Sequence, residues 1–328
     1  MWQGKKVLVT GAGGFIGSHL TEALLKAGAH VRVFIRYNSR DGRGNLEDLE
    51  PSLLGQLEIV AGDLRDADAI DRAVKGRDVV FHLAALVGIP YSYQNPREVV
   101  ETNVLGTFNV LISARDHEVE RVICTSTSEV YGSALYVPID EKHPLQGQSP
   151  YSASKIGADK IAESFYASYN LPVVTIRPFN CYGPRQSARA IIPTLITQAL
   201  ASKEVKLGNL EAKRDFTFVE DTVAGFLAAA IEPKAIGKVI NVGSGQEISI
   251  GELAELVLKT TQSSAKLVID PQRIRPSKSE VNRLLADNRL AKEILGWEPK
   301  VSFAEGIYRT VAWIEKNLDR FQVGKYQI

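Results

Sequence analysis

The sequence predicts an α/β protein built on a doubly wound parallel sheet, with a smaller α/β lobe toward the C-terminus. Short apolar runs alternate with segments of helical apolar spacing through the first half of the chain. A glycine-rich turn, Gly11 to Gly17, joins the first run to the first helical segment. After Pro178 the alternation gives way to shorter elements, broken at Gly183-Pro184, Gly208, Pro233 and Gly243 to Gly245.

Val7 to Val9 reads as the first strand and Phe15 to Lys26 as the first helix, closed by Gly28. Further strands follow at Val31 to Ile35, Leu57 to Val60, Val79 to Leu83, Val122 to Thr125 and Val173 to Ile176. Helical patterns at Asp66 to Val74, Asn103 to Asp116 and Tyr151 to Tyr169 lie between them. Strands linked through helices run parallel, with helices on both faces of the sheet. Beyond Pro178, helices are expected at Ile191 to Leu200, Ile248 to Leu258, Ala286 to Leu295 and Phe303 to Asn317. Asp215 to Ile231 and Val239 to Val242 are placed to return to the main sheet. The division expected is thus residues 1–178 plus about 215–243 in the sheet domain, and 179–214 with 244–328 in the second lobe.

With 328 residues, 45% hydrophobic and 23% charged, the chain can bury the cores of two lobes. A formal net charge of +1 gives no electrostatic reason to expect nucleic acid or an anionic membrane as partner. Two cysteines, Cys124 and Cys181, exclude a disulfide framework and a cysteine-rich metal site. No apolar run approaches ~18 residues, and Met1 to Gly4 leads directly into Lys5-Lys6 without the apolar core of a signal peptide. A cytoplasmic location is the expectation.

The turn Thr10-Gly11-Ala12-Gly13-Gly14-Phe15-Ile16-Gly17 sits between a strand and a helix. Glycines let the backbone turn tightly and bring amides against a pyrophosphate at the helix N-terminus, as in a Rossmann dinucleotide-binding domain. The spacing of Gly11, Gly14 and Gly17 resembles the extended branch of the short-chain dehydrogenases/reductases, the NAD-dependent epimerase/dehydratase family. Asp63-Leu64 resembles that family's adenine contact, Leu83-Ala84-Ala85 its cofactor-lining turn, and Asn103 its structural asparagine. An acidic residue ending the second strand would select NAD through the ribose hydroxyls. This chain instead carries Ile35 followed by Arg36 and, in the next loop, Arg40. Two guanidiniums suit a 2′-phosphate, so NADP is favoured over NAD. The alternative is NAD, with Arg36 stacked on adenine and Arg40 solvated.

Tyr151-Ser152-Ala153-Ser154-Lys155 places a phenol and an amine on one helical face. A neighbouring ammonium and a cationic oxidised nicotinamide both favour the phenolate, which can then accept a proton from a substrate hydroxyl. In the family this YxxxK pair contacts the cofactor as well as the substrate. Its third member is a hydroxyl at the end of the fifth strand, matched here by Thr127. The run Thr127-Ser128-Glu129 resembles that of the 4,6-dehydratases, of the GDP-mannose rather than the dTDP-glucose type. A carboxylate at 129 can take the C5 proton of a 4-ketosugar and protonate the departing C6 hydroxyl. Ser128 stands where an aspartate serves in other dehydratases, which leaves two options: Glu129 does both jobs, or a water on Ser128 helps.

The same run also occurs in UDP-glucuronate decarboxylases, the strongest rival. The stretches around Phe81 to Tyr93, Gln146 to Lys155 and Pro178 to Ile192 most resemble dehydratases acting on nucleotide-linked N-acetylglucosamine, as in the legionaminic acid pathway. The resemblance implies an internal redox cycle with a tightly bound NADP or NAD. Asn180, Arg214 and Arg275 match substrate contacts of the family, and Arg suits a dianionic diphosphate. Arg189 and Arg185 are weaker candidates, on the phosphate argument alone. His82, inside the fourth strand, reads as a satisfied core histidine. A UDP-sugar 4-epimerase is another reading within the family. A dinucleotide-binding regulator without catalysis is a different class, opposed by the intact Tyr151, Lys155 and Glu129. Family members pair through two helices each, so a homodimer through Asn103 to Asp116 and Tyr151 to Tyr169 is expected.

Overall fold

The computed structural model describes residues 1–39, 42–274, 276 and 278–324. Six strands of the first half are β1 (Lys6–Thr10), β2 (His30–Arg36), β3 (Glu58–Gly62), β4 (Val79–His82), β5 (Arg121–Thr125) and β6 (Val173–Pro178). Short strands follow: β7 (Asn180–Tyr182), β8 (Glu204–Leu207), β9 (Lys213–Arg214) and β10 (Phe216–Phe218). The remaining three are β11 (Val239–Val242), β12 (Ile248–Ser249) and β13 (Lys266–Ile269). β11 joins the first six in one sheet of order β11-β6-β5-β4-β1-β2-β3, every pairing parallel. The order reverses between β1 and β4, which opens a crevice at the C-terminal strand ends.

Central strands are apolar on both faces because helices cover both. Val7 and Val9 belong to one cluster and Leu8 to the other, all fully buried. The covering helices of the first half are α1 (Phe15–Lys26), α2 (Pro51–Leu54), α3 (Ala67–Val74), α4 (Ile89–Gln94), α5 (Pro96–Val100), α6 (Gly106–Asp116) and α7 (Pro150–Tyr169). The rest are α8 (Ile191–Ala201), α9 (Val219–Ile231), α10 (Ile250–Thr260), α11 (Arg289–Leu295) and α12 (Phe303–Lys316). Helix α7 starts on a reciprocal Ser149/Ser152 capping box with Pro150 in its first turn.

The structure departs from the sequence pattern in three places. Asn103 lies in a single π turn, Glu101–Leu105, and the α-helix begins only at Gly106. Such single π turns are rare and occur frequently at functional sites. Residues 215–231 do not enter the main sheet as a strand: β10 pairs with β7, and α9 packs on the sheet face instead. The expected C-terminal helix from Ala286 starts at Arg289, because the Asp287 carboxylate accepts the Arg289 amide.

Asp215 ties these segments together. Its carboxylate, fully buried, accepts from the Ser244 amide and hydroxyl and from the amides of Gly245 and Ala286, at 2.7–3.1 Å. Burial outweighs the four donors and raises the carboxyl to about 6, which leaves it mostly ionised at neutral pH. Asp215→Asn turns one acceptor into a donor facing N–H groups. Chemical denaturation at neutral pH is expected to find this variant less stable by about 3 kcal/mol.

Candidate active site

A cleft of about 960 Å³ opens at the strand ends and is lined by residues of the glycine turn, of the turns after β3, β4 and β5, and of segments after Pro178. Gly11, Gly14, Phe15, Ile16 and Gly17 form its floor. A Cβ on Gly17 would lie 2.2 Å from the Gly11 carbonyl oxygen, and one on Gly11 only 2.7 Å from the Ala84 nitrogen. Backbone therefore packs on backbone here, and only glycine leaves the space. Helix α1 begins at this turn with no side-chain cap, so its first amides remain available to an anion. The turn fits a dinucleotide pyrophosphate on these grounds.

Asp63 and Leu64 line the cleft at the end of β3, and Leu83, Ala84 and Ala85 after β4. Asp63 pairs with Arg65 at 2.6 Å, a contact that holds its carboxyl down at about 2. Arg36 reaches the cleft but is bound to Glu98 at 3.3 Å, so a carboxylate faces the position expected to receive a 2′-phosphate. Arg40 lies outside the described residues. Asn45 closes a strap over the glycine turn: its amide donates to the Gly13 carbonyl at 2.9 Å and its side chain to the Arg185 carbonyl at 3.0 Å.

Asn103 does not line the cleft. Its side chain exchanges hydrogen bonds with both backbone groups of Leu86 and donates to Ser154, at 2.8–3.0 Å. It thereby fixes the turn after β4 against α7. His82 is buried between the hydroxyls of Thr10 and Thr107, at 2.8 and 3.0 Å, a saturated core residue.

The chemistry-bearing side chains converge where β5 ends beside α7. Thr127, Ser128, Glu129 and Tyr151 all line the cleft. Thr127 caps the turn Ser128–Tyr131 by accepting the Glu129 amide, and its side chain acts on the Tyr151 phenol in favour of the phenolate. Glu129 is half-buried, and its negative charge acts on that phenol. Lys155 stands behind the wall, buried, donating to the Thr125 carbonyl at 2.6 Å. Burial pushes Tyr151 well above the usual phenol range, and Glu129 adds to that; burial pushes Lys155 down. Both shifts disfavour the charged pair, so a cation placed over the phenol is needed to draw the phenolate out.

On the opposite wall, Asn180, Arg189 and Arg214 line the cleft. Arg214 is buried and sits 3.5 Å from Glu280. Arg275 lies outside the described residues. Arg185 is absent from this wall, because its guanidinium is buried against Glu22 of α1 at 2.7 Å and clamps the two lobes. The sequence reading missed Glu98 and Arg273 as lining residues, and Asp159 behind Lys155. Only Asp159 carried a signal: it repeats the four-residue step from Tyr151 to Lys155.

A family model described as GDP-mannose 4,6 dehydratase matches residues 8–310. A putative UDP-glucose 4-epimerase of Methanocaldococcus jannaschii is 31% identical, over 95% of this chain and 99% of its own. The UDP-N-acetyl-alpha-D-glucosaminuronate decarboxylase of Bacillus cytotoxicus is 33% identical, over 95% and 98%. DesIV, a dTDP-glucose 4,6-dehydratase from Streptomyces venezuelae solved with NAD bound, superposes with a TM-score of 0.86, 33% identity and coverage of 96% and 98%. The expected preference for NADP finds no support: this neighbour holds NAD, and Arg36 is engaged by Glu98. Among the described residues no helix is long and apolar enough to cross a membrane. The chain belongs to the NAD-dependent epimerase/dehydratase family, the extended branch of the short-chain dehydrogenases/reductases, whose members act on nucleotide sugars.

Proposed function

We propose that this enzyme is a nucleotide-sugar 4,6-dehydratase that converts UDP- or GDP-N-acetylglucosamine to the 4-keto-6-deoxy sugar nucleotide, with NAD held throughout. The observation that carries the reading is that a carboxylate, Glu129, lines one cleft with Thr127 and the Tyr151 phenol, close enough for its charge to act on that phenol. NAD, when bound, accepts hydride from C4 and returns it to C6. Thr127 and Tyr151 orient the C4 hydroxyl, and Tyr151 takes its proton, assisted by the Lys155 ammonium. With C4 a ketone, the C5 proton is acidic; Glu129 removes it and passes it to the departing C6 hydroxyl, which leaves as water, and C5 is reprotonated, in balance with the proton that Tyr151 took from the C4 hydroxyl, as hydride reaches C6. Arg189, Arg214 and Asn180 hold the diphosphate end, and Arg275 is proposed with them on family position. Gly11, Gly14, Phe15, Ile16, Gly17, Asp63 and Leu64 hold the dinucleotide. The strap at Asn45 favours slow cofactor exchange, which a cycle that regenerates its cofactor requires.

The 33% identity to a decarboxylase favours a second reading, loss of carbon dioxide from a nucleotide-linked uronic acid. Mass analysis after incubation with UDP- and GDP-N-acetylglucosamine and UDP-glucuronate separates the cases. Loss of one water from either N-acetylglucosamine nucleotide is the expected result. Unchanged mass with an inverted C4 would mean an epimerase, and loss of carbon dioxide from the glucuronate a decarboxylase.

Two copies of the chain are proposed to pair through α6 and α7. Leu105, Phe108, Tyr166 and Tyr169 are all exposed in and beside these helices, and Phe108 packs edge-on against Phe165 at 6.0 Å. Sedimentation of the wild type is expected to report a dimer and Phe108→Glu a monomer at micromolar concentration.

A further inference from the structure

Behind the Tyr151/Lys155 pair lies a buried ion pair. Asp159 sits one turn beyond Lys155 on α7, and its Oδ2 accepts from Ser126 Oγ at 2.8 Å and from Arg177 Nη2 and Nε at 2.8 and 3.1 Å. The side chains of Asp159 and Arg177 are 6% and 4% exposed. Arg177, on β6, donates Nη1 to the Tyr131 hydroxyl at 3.0 Å and stacks 5.0 Å above that ring. Tyr131 in turn donates to Asn241 of β11 at 2.7 Å. The network therefore grips α7, which carries Tyr151 and Lys155, and both ends of the segment from Ser126 to Tyr131, which carries Thr127 and Glu129.

An ion pair this deeply buried adds little net stability, because desolvation offsets the attraction between the charges. Its place next to Lys155 supplies another reason for it. The ionisable groups acting on Lys155 are Asp159 from its own helix, Cys124 from β5 and His82 from β4, and Tyr151 lies one turn before it on α7. Burial pushes the Cys124 thiol up to about 12 and His82 down to about 3, so both are neutral at pH 7. The Tyr151 phenol is neutral without a cofactor. Asp159 is left as the fixed negative charge, among the described residues, that favours a proton on the Lys155 amine. Its effect on Tyr151 runs the other way but ranks last among the causes there.

We propose that Asp159 is a positioning residue: with Arg177 as counter-ion it holds Lys155 in the ammonium form and, through Ser126, sets the end of β5 against α7. This rests on the reading that Lys155 serves Tyr151 as a charged amine. Substrate never meets Asp159; it acts through its neighbours.

NMR titration of the whole protein, saturated with NAD and labelled at lysine, tests it, with the Lys155 signal assigned by its loss in Lys155→Met. In Asp159→Asn the midpoint of Lys155 is expected to fall by about one pH unit, a tenfold loss of proton affinity. Asp159→Glu is expected to restore it. An unchanged midpoint in folded Asp159→Asn overturns the proposal. Should the unpaired Arg177 prevent folding, Asp159→Asn combined with Arg177→Met removes both charges; the same fall is expected, since Arg177 lies beyond the carboxylate, and an unchanged midpoint again overturns it. The titration needs no turnover. A wild type inactive on every sugar nucleotide tried would sink the proposed reaction and leave this result intact.

Discussion

Replacing Tyr151 with Phe is expected to lower turnover of the nucleotide sugar by about 10²–10⁴-fold, the usual contribution of a positioned proton acceptor. The ring stays, so the buried packing of α7 against the β5 turn stays, and only the phenol oxygen is lost. The variant should fold, retain NAD in the same stoichiometry and bind substrate normally. Burial and the Glu129 charge both hold the phenol in its neutral form. The positive charge of an oxidised nicotinamide, added to the effect of Thr127, offsets them. A phenolate signal that wild type shows with NAD bound, and that Tyr151→Phe lacks, is therefore expected in ultraviolet difference spectra. Wild-type turnover in the folded variant would remove Tyr151 from the chemistry.

Glu129→Gln is expected to have an effect of similar size, about 10²–10⁴-fold on water loss, but to divide the reaction differently. Oxidation at C4 needs Tyr151, Thr127 and Lys155, none of which is altered. Removal of the C5 proton needs a base, and an amide is not one. Reduced nicotinamide should therefore build up when substrate is added, seen by its near-ultraviolet absorbance, with little dehydrated product. Glutamine keeps the size and the polar end of the side chain, so the half-buried turn from Ser128 to Tyr131 is expected to hold. If Glu129→Gln still released water at the wild-type rate, the carboxylate would be structural and the proposed elimination would lose its base.

What could be read from the residues alone was the part governed by short-range rules. Gly11, Gly14 and Gly17 permit a turn that other side chains would block, within seven positions of one another. A four-residue step puts Tyr151 and Lys155 on one helical face wherever that helix is placed. Apolar runs with helices between them imply a parallel sheet covered on both sides. Glu129 was legible only because the run Thr127-Ser128-Glu129 resembles that of the 4,6-dehydratases.

Partner choice was not legible, because it joins atoms far apart along the chain. Arg36 suggested a phosphate until Glu98, 62 positions away, came to lie against it. Arg185 suggested a substrate contact, yet the fold turns it to Glu22, 163 positions back, where burial makes an unpaired guanidinium untenable. Asn103 read as structural, but only the fold shows that the segments it braces are Leu86 and Ser154. The sequence by itself determined the fold class, the phosphate turn and the phenol–amine pair, since each depends on sterics and spacing inside one or two elements. The tertiary structure alone decided which charges face the cleft and which neutralise one another behind it, because a charge taken out of water must find a partner wherever packing supplies one.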